Sequence, residues 1–245
     1  MALLLISMLS LSAVMTHTAA LDEGFTAASE NEEDKILITS GGESLLFDCS
    51  SHKNSAGYSS VSFLSENHIS ELDCYTVANY SATLPDMLDV ALSRIKISSV
   101  ALPEPASEYE REIYSQTERI VAKYRTELFV YDNDGFVFGK YEIIPAYTDL
   151  DKAYSYLFAT DGSIISYLTS GITDTLPYTN ELLYVSNTVI FGDFGTGYSY
   201  TKTIDDWDSK LKTIVSFDKD IVFNISFAES VKTRIYTSVK RVKLK

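Results

Sequence analysis

The chain predicts an α+β fold rich in strand, with two central helices followed by an antiparallel sheet or barrel laid out as a meander. Three observations predict it. Between residues 83 and 124, two stretches place apolar residues at helical spacing behind clear start signals. From Glu127 onward the apolar period shortens to two. Turn signals centred on Gly135, Gly162 and Gly195 then recur at even spacing, as in a meander or a decayed repeat.

Residues 1–20 carry no charged side chain. An apolar run, Leu3-Leu4-Leu5-Ile6, gives way to small residues ending in Thr18-Ala19-Ala20, which predicts a cleaved signal peptide. The run is too short and too interrupted by Ser and Thr to span a bilayer, and no later stretch is long and apolar enough, so no transmembrane segment is expected. Residues 21–35 are acidic and poor in large apolar groups, and read as a flexible lead-in.

Residues 36–105 read as a small N-terminal region holding both cysteines and one helix. Strand-like runs at 36–38, 44–47 and 61–64 are separated by Gly and Ser clusters. Thr83 and Pro85 open the helix, and Met87, Leu88, Ala91, Leu92 and Ile95 form its stripe. After the Pro103-Glu104-Pro105 break comes the region 106–245, a helix followed by an antiparallel sheet. Ser107 with Glu110 makes a capping box, and Tyr109, Ile113, Ile120, Val121 and Tyr124 line one face. Then 128–131, Asp132-Asn133-Asp134-Gly135 and 136–144 read as strand, turn and strand. Residues 211–217 and 221–227 form another strand pair, and 233–244 the last strand.

A net charge of −14 argues against nucleic acid as a partner, because phosphate contacts need a cationic footprint. The basic residues concentrate late. Lys232, Arg234, Lys240, Arg241, Lys243 and Lys245 follow Glu229 with no acid among them. A lysine-blunted edge strand explains them better than a patch for an anionic glycan.

Cys49 and Cys74 are the two cysteines, and in an exported chain they predict a disulfide. Cys49, His52, His68 and Cys74 also have the ligand types of a tetrahedral zinc site, which is the alternative, since zinc requires thiolates. Otherwise no metal and no cofactor are implied. A Ser-His-Asp triad would need His52 or His68, and no G-x-S-x-G elbow accompanies them. The EF-hand spacing fails around Gly135, and the Gly192–197 stretch is not followed by a helix, so neither calcium loop nor nucleotide cradle is read there. Paired carboxylates remain open, because 34 acids offer many pairings. The acids in turns, Asp132, Asp134, Asp149, Asp151, Asp205, Asp206 and Asp208, read as turn formers.

Ten of the 17 tyrosines lie between Tyr131 and Tyr200. Tyrosine offers large area with a hydrogen-bonding tip, which suits recognition of proteins or sugars. Tyr131, Tyr141, Tyr198, Tyr200 and Trp207 are the candidate binding residues, and Asn79 and Asn224 sit in glycosylation sequons. Few catalytic groups stand out, so the sequence points away from an enzyme. It predicts a secreted or surface-associated binding protein that meets an extracellular protein or glycan through a Tyr-rich β-face. The alternative is a glycan-active hydrolase using paired carboxylates, and behind it a membrane-acting β-hairpin protein.

Overall fold

The computed structural model describes residues 24–30, 33–49, 56–149, 152–168, 185–191, 213–216, 221–224, 232–235 and 241–244. The expected signal peptide, His52, Asp151, Tyr198, Tyr200, the turn at 192–195, Asp205, Asp206, Trp207 and Asp208 lie outside them.

Strands β1 (Gly24–Glu30), β2 (Glu33–Ser40) and β3 (Glu43–Asp48) form an antiparallel ribbon at the start of the chain. Helix α1 (Ala56–Glu66) then leads to β4 (Glu71–Val77), α2 (Leu84–Arg94) to β5 (Lys96–Pro103), and α3 (Glu108–Lys123) to β6 (Glu127–Tyr131). Each helix is the crossover between two parallel strands, since a parallel neighbour is reached only by returning the chain along the sheet. The first sheet has seven strands in the order β15-β1-β2-β3-β4-β5-β6. The second has eight, running β14-β13-β12-β11-β10-β9-β8-β7. It is built from β7 (Phe136–Phe138), β8 (Tyr141–Asp149), β9 (Lys152–Thr160), β10 (Ser163–Leu168), β11 (Thr188–Phe191), β12 (Thr213–Ser216), β13 (Ile221–Asn224) and β14 (Lys232–Ile235). β15 (Arg241–Leu244) returns to the first sheet beside β1.

This is an α/β sandwich, not helices followed by a meander. The three described helices lie between strands, and β10, β11 and β12 run parallel inside the second sheet. The physical reason is burial. β4 and β5 are covered on both faces, with Tyr75, Val77, Val100 and Leu102 in the core under the helices and Cys74 and Ala101 in the core between the sheets, so there is no wet alternation to read. The expected strand at 61–64 belongs to α1. The expected acidic lead-in supplies β1, whose Phe25 and Ala27 are core residues. β5 and β6, on either side of residue 105, pair directly with one another.

Two cores result. Between the sheets, Phe25 and Phe47 meet Phe158 edge-on at 5.2 and 5.4 Å, and Phe47 meets Tyr156 at 4.6 Å. Between the helices and the first sheet, Met87, Leu88, Ala91 and Leu92 of α2 pack on Leu46, Tyr75 and Val100. The stripe and the capping box read from the sequence are both present, with Glu110 N–H donating to Ser107 Oγ at 3.2 Å. No described helix is long and apolar enough to cross a membrane.

Candidate active site

Open α/β sheets place their ligands beyond the carboxyl ends of the parallel strands. Here those ends are Asp48, Val77, Pro103 and Tyr131. At the first two, side chains fill the space. Asp48 Oδ2 accepts hydrogen bonds from Tyr75 OH at 2.6 Å and Ser60 Oγ at 2.5 Å, and all three groups are fully buried. Burial, with the Asp48 charge beside it, holds the Tyr75 phenol well above its ordinary range. Tyr131 OH donates to Val77 O at 3.2 Å, and Tyr156 OH donates to Ala78 O. Tyr80 OH closes the next gap by donating to Pro103 O at 2.7 Å. Phenols from both sheets thus satisfy the carbonyls that end β4 and β5.

The ends of β5 and β6 are different. Glu104 N–H donates to Tyr131 O at 2.8 Å, which continues the β5–β6 ladder by one residue and sets Glu104 next to Asp132. Both acids line one cleft of 380 Å³ together with Phe129, Val130, Tyr131, Gly135 and Phe136. Phe129 and Phe136, each half-buried, stack edge to face at 5.9 Å. Asp132 Oδ1 accepts from Asp134 N–H at 2.9 Å and its carbonyl from Gly135 N–H at 3.0 Å, so the turn fixes the carboxylate. Glu104 accepts no hydrogen bond on its carboxylate from the described residues. The turn is not the expected hairpin: β6 and β7 belong to different sheets, and 132–135 carries the chain from one to the other.

Burial overturns the tyrosine-face reading at Tyr131 and Tyr141, while Tyr198, Tyr200 and Trp207 lie outside the described residues. Tyr131 is 4% exposed, Tyr141 6%, Tyr156 0% and Tyr167 1%, and all belong to the core between the sheets. Their burial serves packing and the capping of strand ends, so these four tyrosines present no binding surface. Of the alternating stretch 163–173, which the membrane-acting alternative would use, residues 165–168 are equally buried and 169–173 lie outside the described residues.

The disulfide is also overturned. Both thiols are free. Asp48 pairs with Val77, so Cys49 lies level with Ala78, four positions along β4 from Cys74. At roughly 3.3 Å per residue the two Cα atoms stand about 14 Å apart, twice the reach of a disulfide. Burial pushes the Cys74 thiol up to about 12 and holds the Cys49 thiol well above its ordinary value, with Asp34 and Asp48 adding to the second effect. The pair therefore gives no support to an oxidising compartment. The same separation keeps the two sulfurs from sharing one zinc ion. His68 sits in the turn after α1 with φ 62°, and no group of three His, Cys, Asp or Glu converges among the described residues, so they do not fit a metal. Asn79 lies half-buried between β4 and α2, and Asn224 ends β13.

Sequence reasoning passed over Glu104 as part of a break and Asp132 as a turn former. The available signal was position, since each directly follows the end of a strand.

The sequence matches no protein-family model and no curated protein. Among solved structures it is similar to the metallo-β-lactamase fold protein YhfI of Bacillus subtilis, with 15% identity, 69% of this chain and 70% of that chain covered, and a TM-score of 0.45. The short form of human tRNase Z gives 11% identity over 68% and 75% of the two chains, with a TM-score of 0.40. A putative metallo-β-lactamase of Thermotoga maritima gives 11% over 80% and 93%, also at 0.40. No activity is carried over from likenesses this slight.

Proposed function

We propose that the chain is a hydrolase acting on glycosidic bonds through Glu104 and Asp132. The hydrogen bond from Glu104 N–H to Tyr131 O carries this reading, because it brings two carboxylates from neighbouring strand ends to one cleft. Glycoside cleavage needs two such groups, one giving a proton to the leaving oxygen and one acting as base or nucleophile. Asp132 suits the second role: it lines the cleft, and the hydrogen bond from Asp134 N–H to Oδ1 restrains its carboxylate. Glu104 is the other carboxyl lining the cleft and takes the acid's role. The half-buried Phe129 and Phe136 give an apolar wall of the kind on which a sugar ring rests.

A panel of nitrophenyl glycosides tests the reading. At least one should be hydrolysed, and Glu104→Gln and Asp132→Asn should each lower its kcat by roughly 100-fold or more. Hydrolysis that survives both substitutions, or none on any member of the panel, would sink it.

A further inference from the structure

Among the described residues, the first sheet ends in two strands that each have one neighbour and are of opposite character. β6 is one outer edge and β15 the other. β6 contains no Lys, Arg or Pro, and its register with β5 runs from Ser99↔Glu127 to Pro103↔Tyr131 without a bulge. Edges left this plain invite another strand, since lysines, prolines and bulges are the usual deterrents. Val130, 42% exposed, stands on it, and Glu104, Asp132 and Asp134 make its carboxyl end acidic. β15 is basic, carrying Arg241 and Lys243, charges that deter pairing with another basic edge but match an acidic one.

We infer that a second copy of this chain docks here, its β15 adding to β6 as an antiparallel strand. Direction and charge both select this occupant. β15 runs antiparallel to β1, β1 to β2, β2 to β3, and β3 parallel to β6, so within one copy β15 opposes β6. A copy displaced sideways along the sheet therefore offers β15 in the antiparallel sense. Arg241 then falls at the carboxyl end of β6, beside Glu104, Asp132 and Asp134. Main-chain hydrogen bonds would supply adhesion, and opposite charge would set direction and register. The contact is heterologous, so it propagates rather than closing at a dimer. It does not rest on the hydrolase reading, but docking beside Glu104 and Asp132 would cover the cleft they line, so assembly and substrate binding would exclude one another.

Sedimentation velocity on the whole protein over a range of concentrations tests it. Mass should grow with concentration past the dimer at low salt, and association should weaken on the order of tenfold at high salt. Val130→Lys/Asp134→Lys blocks the β6 edge, and Arg241→Glu/Lys243→Glu blocks the β15 edge. Each variant alone should be monomeric, with circular dichroism like that of the parent. Mixed together they should form a 1:1 pair and stop, because one open edge of each kind remains. A parent that stays monomeric, a parent that stops at a dimer, or a mixture that gives no pair overturns the inference. An unfolded variant is replaced by Glu127→Lys at the start of β6, for which the same mixture is expected.

Discussion

Tyr167 on β10 donates its phenol hydrogen to Asp34 Oδ2 on β2 at 2.6 Å, joining the two sheets through their shared core. Burial, with the Asp34 charge next, holds that phenol protonated far above its ordinary range. Tyr167→Phe removes the donor and leaves a carboxylate that is 4% exposed with one bond fewer. A hydrogen bond to a charged group is worth about 1.5–3 kcal/mol, and urea unfolding should show a loss of that size. Tyr109→Phe, at a 55% exposed ring, is the control and should change nothing measurable.

The thiols make a second prediction. An acid with a raised pKa holds its proton more tightly in the folded state, so the contribution to stability is intact below the unfolded value and is lost as pH climbs. For Cys74 the window runs from 9.0 to about 12, and the Cys49 thiol and the Tyr75, Tyr156 and Tyr167 phenols shift in the same direction. Unfolding free energy should therefore fall steadily above pH 9.0. Native protein at neutral pH should react slowly with a thiol reagent, and two thiols should appear in denaturant without prior reduction. Fast labelling of the native protein at Cys74 would contradict the burial described above.

Gly135 links the turn to the cleft. Its φ is +77°, and a Cβ there would run into Ile143 O of β8. Gly135→Ala should cost more than about 2 kcal/mol, combining left-handed strain with that collision. It should also displace Asp132, whose carbonyl the Gly135 amide holds, so hydrolysis should fall in kcat more than in KM.

The amphipathic helices were legible because their signals are local. The α2 stripe and the Ser107–Glu110 box can be read with no knowledge of the sheet, and both are in place. α1 was hidden by its Ser and Gly content. Gly57 is needed where it is, since a Cβ would lie 2.6 Å from Met87 O. β4 and β5 were hidden because burial on two faces erases alternation. The site was hidden for a similar reason: Glu104 and Asp132 meet only once β5 and β6 are known to be parallel neighbours. The tyrosines misled because their hydroxyls suggested water, while in the fold they reach backbone carbonyls and buried carboxylates.

Chemical rescue at Asp132 tests the central claim most directly. Asp132→Ala should be inactive on the nitrophenyl glycoside that the parent hydrolyses, and added azide should restore turnover with a glycosyl azide as product. A variant as active as the parent, or one that stays silent in azide while Glu104→Gln keeps full activity, would contradict the paired-carboxylate site.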